Sequence, residues 1–327
     1  MKKLEELLTP TQEELFEILR KTFKGKRVYY CEGNFILVVG NAPTLLVAHL
    51  DTVHEEPVKT ICHSEDGNIL MSPQGIGGDD RCGVYALCKV YEMSKIKPSI
   101  LFTCDEEIGG IGANEFCKAH SEKKLPSEVD NLKLIIEIDR KGKNDAVYYD
   151  CDNPKFEEYI TGKGFETAKG SFSDISVIAP ELLTAAVNLS SGYYNAHTQH
   201  EFINCSELEK TVKKVLEIVE ESAKKDFPKF EYIERKFFNI FSYGKFQADE
   251  FSKDEYAKIN LLDDLPEEYQ GYYQDIFEGF TSSEIADYKT LYKNNWAKKI
   301  VADIQDFYSY CNYNDHESYF DDFDDEK

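Results

Sequence analysis

Short apolar runs that alternate with amphipathic helical segments occupy residues 44–224 and restrict the folds open to this chain. Residues 44–48 form a continuous apolar run, which is typical of a strand buried on both faces. Further strands are predicted at 99–103, 132–138 and 183–189, and helices at 83–93, 112–119 and from 206 to about 224. This alternation predicts an α/β fold, namely a three-layer sandwich with a mixed, mostly parallel central sheet and helices on both faces.

Local signals place the remaining elements of this region. Thr11 and Glu14 have the spacing of a capping box at the start of an amphipathic helix. β-rich runs at 27–31 and 35–39 flank a turn, as in a hairpin. A second capping box, Ser206 with Glu209, predicts the start of the helix that ends near 224.

The composition changes after residue 228. Residues 229–327 are rich in Tyr, Phe, Asp and Glu, with helix-like patches at 282–296 and 298–310. We predict a catalytic domain over 1–228, an acidic, aromatic-rich helical appendage over 229–312 and a flexible acidic tail over 313–327. Four roles for the C-terminal region stay open: packing on the outside of the sheet, covering the cleft, mediating assembly, or binding a protein partner.

The net charge of −23 at pH 7 argues against two classes of partner. Nucleic-acid readers and proteins that dock on anionic membranes both present basic faces, so neither partner is expected. The N-terminal residues contain no apolar run of signal-peptide type, and no stretch reaches the roughly 18 apolar residues of a membrane span. The nine cysteines are odd in number and lie mostly within apolar segments, which is typical of reduced thiols rather than of a disulfide framework. We therefore predict a cytoplasmic location.

Five short polar motifs fall near the ends of predicted strands, where open α/β sheets gather ligand-binding groups. They are Ala48-His49-Leu50-Asp51, Gly77-Gly78-Asp79-Asp80, Asp105-Glu106-Glu107, Glu137-Ile138-Asp139 and Ala196-His197-Thr198. Each motif alone is a weak signal, since an Asp-Asp pair in a Gly-rich loop is usually a turn. Together they supply the histidines and carboxylates that a pair of borderline metal ions needs. A shared carboxylate can bridge two ions about 3.5–4 Å apart.

The spacing within two of the motifs fits this chemistry. His49 and Asp51 are two residues apart on an extended strand end, so their side chains point the same way. Asp51 can then accept a hydrogen bond from the ring nitrogen of His49 that is not on the metal. Glu106 and Glu107 are adjacent, so one can bind metal while the other faces the substrate as a general base.

In this order, the motifs resemble the co-catalytic zinc exopeptidases, the family that includes peptidase T and the lidless bacterial aminopeptidases. The family pattern is His-x-Asp, Gly-x-Asp-Asp, Glu-Glu-x-Gly, a strand-end Asp, and a His followed four residues later by Glu, here Glu201. The resemblance covers about residues 40–222. It implies that Asp79 bridges two metal ions. His49 and Asp139 would complete the ligands of one ion, and Glu107 and His197 those of the other. The resemblance also implies that Glu106 is the general base and that Asp51 orients His49.

The resemblance also implies an activity. The family's aminopeptidases have an aspartate at the position of Asp139, so we expect an aminopeptidase that removes the N-terminal residue of short peptides with a free N-terminus. Two divalent ions would depress the pKa of a bridging water and form hydroxide. Zinc is expected first, and cobalt and manganese also suit the ligands. Glu106 would take the proton and return it to the leaving amine. Tyr193 or Tyr194 is either an oxyanion donor or part of the wall.

Two other functions stay open: a metal-dependent amidohydrolase or deacylase acting on a non-peptide amide, and a catalytically silent binding protein acting through its C-terminal region. The complete ligand set and the presence of Glu106 favour an enzyme. The short interval from Asp139 to His197 leaves no room for the lid domain of peptidase T-like members. Asp80 is interpreted as a turn or supporting residue, and Asp174 as a helix cap or a residue near the substrate pocket.

Overall fold

The computed structural model describes residues 3–235 except 55 and 171, and then residues 258, 261–262, 265–266, 269, 272, 276, 280 and 282–302. The chain divides into two compact units, Met1–Phe237 and Phe238–Lys327. The predicted tail at 313–327, and the part of the last helical patch beyond 302, lie outside the described residues.

Among the residues that the structure describes in the first unit, twelve strands form two sheets. They are β1 (Val28–Cys31), β2 (Phe35–Val38), β3 (Thr44–His49), β4 (Cys62–His63), β5 (Ile69–Met71), β6 (Ser99–Thr103), β7 (Leu134–Arg140), β8 (Asp145–Val147), β9 (Glu166–Ala168), β10 (Ala186–Ser190), β11 (Tyr193–Tyr194) and β12 (Phe202–Asn204). The eight-stranded sheet has the order β1-β2-β6-β3-β7-β10-β8-β9. Its centre, β6-β3-β7-β10, is parallel. The predicted mixed, mostly parallel sheet is therefore confirmed.

Seven helices surround the sheet in the described part of the first unit. They are α1 (Glu5–Leu8), α2 (Gln12–Thr22), α3 (Gly78–Met93), α4 (Ile111–Ser121), α5 (Pro154–Thr161), α6 (Ile175–Leu182) and α7 (Cys205–Ser222), besides a 3-10 turn at Val129–Asn131. The capping box at Thr11 is confirmed, because its side chain accepts from the Glu14 backbone N–H and the Glu14 carboxylate accepts in return.

The start of α7 corrects a prediction. The cap is Asn204, whose side chain accepts from the backbone N–H of Glu207. The predicted box of Ser206 with Glu209 is wrong, since the helix already begins at Cys205 and the Glu209 carboxylate accepts the hydroxyl hydrogen bond of Tyr85 instead (2.6 Å).

Alternate residues of β3 belong to different hydrophobic clusters. Leu46 and Ala48 pack with apolar residues of α1, α2, α3 and α7, whereas Leu45 and Val47 pack with those of α4 and α6. Successive side chains of a strand point to opposite faces, so the sheet is covered on both sides. Full burial of such aliphatic side chains contributes about 1.5–3 kcal/mol each. The three-layer sandwich is thus confirmed.

A second sheet of four short strands, β11-β12-β5-β4, lies next to the loop that begins α3. Its strands are two or three residues long, too short to show periodicity in the sequence. The small elements β8, α5 and β9 were not predicted either.

The second unit has a hydrophobic cluster of its own among the described residues. Helix α8 (Ser282–Tyr292) is followed by a 3-10 turn, Lys293–Asn295, and by helical residues up to 302. The cluster comprises Leu262, Leu265, Ile276, Ile285, Trp296, Ala297, Ile300 and Val301. In the described parts of both units, the helices are too short or too polar to cross a membrane.

The end of the first unit lies beyond the boundary at 228 that the composition indicated. Glu231 pairs with Thr184, and Glu234 pairs with Cys151, in isolated antiparallel bridges. Phe230 is buried in the core of the first unit. The segment after 228 therefore belongs to the first unit, because it supplies both backbone pairing and apolar surface.

Candidate active site

His49 ends the central strand β3 and is almost completely buried. Its Nδ1 lies 3.2 Å from Oδ1 of Asp51. Asp51 also accepts hydrogen bonds from the backbone N–H groups of Glu106 (3.1 Å) and Glu107 (2.9 Å). Burial acts to raise the pKa of Asp51, but these bonds outweigh it and hold the pKa below its ordinary value. Asp51 thus connects the His49 ring with the loop after β6.

The Asp79 carboxylate lies between two pairs of side chains. Its Oδ1 is 3.2 Å from Nε2 of His49, which is also 3.5 Å from Oδ1 of Asp139. Its Oδ2 is 3.2 Å from Nε2 of His197, which is also 3.1 Å from Oε1 of Glu107. The two oxygens of Asp79 therefore face two different His–carboxylate pairs.

Unusual backbone at two loops places these groups. Asp79 and Asp80 have non-helical dihedral angles at the start of α3, and the peptide bond between them is cis. A Cβ at the preceding residue, Gly78, would lie 2.7 Å from Cβ of Tyr193, so only glycine fits there. His197 has a left-handed backbone with φ of 62°. The backbone conformation of neither loop could be predicted from strand or helix periodicity in the sequence.

The site concentrates carboxylates in a buried environment. Burial raises the pKa of Asp139 to about 7, and the charge of Asp79 adds to this shift. Burial also raises the pKa of Glu106 to about 8. For Asp79, burial acts in the same direction, but hydrogen bonds with His197 and His49 outweigh it and lower the pKa. Facing carboxylates at such short range are stabilised by a cation, and the mix of imidazole and carboxylate fits a zinc-type ion.

Ligand-type atoms of His49, Asp79 and Glu107 lie within 4.8 Å of one another, as do those of His49, Asp80 and Asp139. Asp80 is fully buried. Its Oδ1 accepts the backbone N–H of Gly83 (2.9 Å), while its Oδ2 has no hydrogen-bond partner within the described part of the chain. Asp80 thus combines the predicted turn contact with a place beside the carboxylate cluster.

Two polar residues behind Asp139, Ser173 and Asn188, were assigned no role from the sequence. The Ser173 hydroxyl lies 2.6 Å from Oε2 of Glu137 and 3.1 Å from Oδ2 of Asp139. Asn188 accepts the backbone N–H of Asp139 through Oδ1 (2.9 Å). Asn188 stands within the buried strand β10, and a polar residue in an apolar run was a usable signal.

Three other predicted residues also have defined partners. Asp174 stands at the N-cap position of α6, as the helix-start interpretation predicted, but its side chain makes no capping bond and accepts a hydrogen bond from the hydroxyl of Thr103 instead. The Tyr193 hydroxyl lies 3.0 Å from the carbonyl oxygen of Asp139, and that of Tyr194 donates to Glu207 (2.6 Å). Both hydroxyls thus have partners within the protein, and the two interpretations of these tyrosines stay predictions.

No protein family and no curated protein matches the sequence. A solved tripeptidase from Staphylococcus aureus is 17% identical, with a TM-score of 0.51 over 67% of this chain and 96% of its own. Aminopeptidase PepT from Bacillus cereus is 18% identical, with a TM-score of 0.50 over 68% of this chain and 97% of its own. A TET aminopeptidase from a marine-sediment Thaumarchaeota archaeon is 12% identical, with a TM-score of 0.51 over 67% and 95% of the two chains. The chain therefore has the fold of these solved peptidases, and this is the fold that the family resemblance implied.

Proposed function

We propose that this chain is a metal-dependent aminopeptidase that hydrolyses short peptides with a free N-terminus. The observation that carries the proposal is the position of Asp79, whose two oxygens face His49 with Asp139 on one side and His197 with Glu107 on the other. One carboxylate shared by two His–carboxylate pairs is the arrangement that a two-metal hydrolytic site requires.

The proposed metal ligands are His49, Asp79, Glu107, Asp139 and His197. Zinc is the expected ion, and cobalt and manganese suit the same donors. Two such ions, when bound, supply Lewis-acid polarisation of the scissile carbonyl and acidify water at the site. The residues around them provide orientation and proton transfer.

Glu106 is the proposed general base. Its Oε2 lies 4.0 Å from Nε2 of His49, and its backbone N–H is held by Asp51. Burial raises its pKa to about 8, and bound cations would lower the pKa from that value. A carboxylate that titrates near the working pH can take the proton of the attacking water and return it to the leaving amine.

The surroundings of the site indicate the kind of substrate. Buried carboxylates favour a free ammonium group, which accounts for selection of an N-terminus. Two exposed apolar side chains adjoin site residues in the sequence, because Ile108 (71%) follows Glu107 and Phe172 (44%) precedes Ser173. Phe172 reaches within 3.0 Å of a Cβ placed on Gly110, three residues after Glu107. We therefore propose that the enzyme prefers apolar N-terminal residues. The solved tripeptidase and aminopeptidases with this fold are consistent with peptide substrates.

The test is mass-spectrometric turnover of a mixed library of short peptides, free and N-acetylated, with metal-stripped protein and added zinc, cobalt or manganese. We expect metal-dependent, stepwise loss of N-terminal residues from free peptides only, fastest for apolar residues. Cleavage of acetylated substrates would favour the amidohydrolase alternative. The absence of cleavage with all three metals would contradict the proposal and favour a silent binding protein.

A further inference from the structure

Glu201 is a fully buried carboxylate beside the candidate metal centre but outside the proposed ligand set. Its Oε1 accepts the backbone N–H of Asp79 (2.9 Å). Its Oε2 accepts the backbone N–H of Gly77 (3.0 Å) and lies 2.9 Å from Nε2 of His54. Both oxygens are therefore occupied by donors from other loops, and each bond involves a charged acceptor, which makes it stronger than a neutral hydrogen bond.

These contacts act on the loop that carries Asp79. The backbone N–H groups of Gly77 and Asp79 point to one carboxylate, which fixes the backbone on both sides of Gly78. A Cβ on Gly78 would lie 3.1 Å from Oε1 of Glu201, so the loop packs closely on this side chain. Because Glu201 holds the backbone at Gly77 and Asp79, it also determines the direction in which the Asp79 side chain points.

Glu201 also belongs to the loop that carries His197. Its backbone N–H donates to the carbonyl of Thr198 (3.1 Å), which closes a turn directly after His197. One side chain thus connects the loop of Asp79 with the loop of His197. Oδ2 of Asp79 and Nε2 of His197 lie 3.2 Å apart, in the half of the site that includes Glu107.

His54 completes the connection from a third loop. Its ring packs on Gly75, where a Cβ would lie only 2.2 Å from the ring, and glycine there has φ of 83°. The imidazole is therefore held in place by packing as well as by its bond to Glu201.

We propose that Glu201, held by His54, is a positioning residue that sets the spacing between Asp79 and His197 for a divalent ion. The inference rests on the proposed metal centre. Removal of such a supporting partner typically lowers metal affinity about 10–100-fold.

The variant Glu201→Gln tests this role with little change in shape. An amide has one oxygen, so it cannot accept from the Asp79 N–H at one end and from the Gly77 N–H at the other. The matched control is Glu221→Gln, because Glu221 also accepts two side-chain hydrogen bonds, from Tyr159 (2.7 Å) and Lys163 (2.6 Å), without contacting the centre. A second variant, His54→Phe, keeps a ring on Gly75 but removes the donor.

The experiment measures zinc affinity of the full chain by competition with a chelator, together with the visible spectrum of the cobalt-loaded protein and thermal unfolding of the metal-free protein. We expect Glu201→Gln to weaken zinc binding about 10–100-fold and to change the cobalt spectrum. For His54→Phe we expect zinc affinity to fall roughly two- to tenfold. Glu221→Gln should retain the wild-type affinity and spectrum.

The outcomes separate this inference from the proposed function. If the wild type binds two ions and both site variants retain its affinity and cobalt spectrum, the positioning role is overturned while the proposed function stands. If Glu201→Gln does not fold, a weakened affinity and altered spectrum in folded His54→Phe still support the role, and unchanged values overturn it. If the wild-type chain binds no zinc or cobalt, the metal centre and the positioning role are both overturned.

Discussion

At the scale of single residues, Glu106 and Glu107 illustrate how adjacent acids can differ in role. The Glu107 carboxylate lies 3.1 Å from His197, in one of the two pairs around Asp79. The Glu106 side chain is 4.0 Å from the nearest histidine nitrogen, and burial raises its pKa to about 8. This difference underlies the proposal that Glu107 binds metal and that Glu106 exchanges protons with the substrate and water.

Glu106→Gln is expected to separate these roles. The amide cannot accept the proton of water, so kcat should fall about 10²–10⁴-fold while the bound zinc stays at the wild-type level. Peptide turnover and metal content by mass spectrometry check this. Glu107→Gln is the comparison, and we expect it to lose metal. Loss of zinc from Glu106→Gln would instead assign that residue to the ligand set.

His120 offers a prediction away from the candidate site. Burial acts to lower its pKa, but hydrogen bonds with Glu181 (2.7 Å) and Asp130 (2.9 Å) outweigh it and raise the pKa above the ordinary 6.5. A group whose pKa rises on folding stabilises the protein fully below its unfolded-state pKa, and that contribution is lost as pH rises through the folded-state pKa.

We therefore expect His120→Gln to reduce the free energy of unfolding most at about pH 5.5 and progressively less at higher pH. Urea unfolding of the wild type and the variant across this range measures the difference. A difference that is constant with pH would show that the contribution of His120 is packing rather than charge.

At the scale of elements, helix α3 approaches strand β7 so closely that one position accepts only glycine. A Cβ on Gly83 would lie 2.2 Å from the carbonyl oxygen of Ile138 and 2.4 Å from Oδ2 of Asp80. The helix that begins at the Asp79 loop is thereby packed directly on the strand that carries Asp139. This contact brings two proposed ligands to the same end of the sheet.

Gly83→Ala is expected to lower the free energy of unfolding by about 1–3 kcal/mol, because the added methyl group must displace backbone. Thermal or urea unfolding checks the value. Gly162→Ala is the control, since its backbone is helical (φ −59°, ψ −18°) and its nearest atom to a Cβ is 3.2 Å away. Equal effects of the two changes would contradict the close packing of α3 on β7.

At the scale of the whole molecule, the hydrophobic clusters follow the division of the chain. The two large clusters draw only on residues of Met1–Phe237, and a third comprises residues of Phe238–Lys327. The five proposed metal ligands all belong to the first unit. A unit with its own core can in principle fold alone.

A fragment of residues 1–237 is therefore expected to unfold cooperatively and to bind zinc as the full chain does. A fragment of residues 1–228 is the control, because it lacks Phe230, whose backbone pairs with Lys133 and Ala185 and whose ring is buried. Loss of such a buried ring lowers the free energy of unfolding by about 3–5 kcal/mol. Calorimetry and zinc titration compare the two, and a 1–237 fragment that fails to fold would contradict the proposed autonomy.

The sequence by itself determined the sheet centre and the end at which polar residues meet. Strand β6 is at 99–103 as predicted, and β3 extends the predicted 44–48 by one residue to His49. Such strands are visible because burial on both faces requires a continuous apolar run. The order of the motifs then places their residues together, since parallel strands end at one edge of the sheet.

Only the tertiary structure decided which atoms face one another. That Oδ1 and Oδ2 of Asp79 face different histidines depends on loop backbone that has no periodic signal. The contact of His54 with Glu201 joins residues 147 positions apart, and His54 fits no ligand pattern in the sequence. Such contacts arise when separate loops pack, because each polar group removed from water must find a partner from whatever the fold brings next to it.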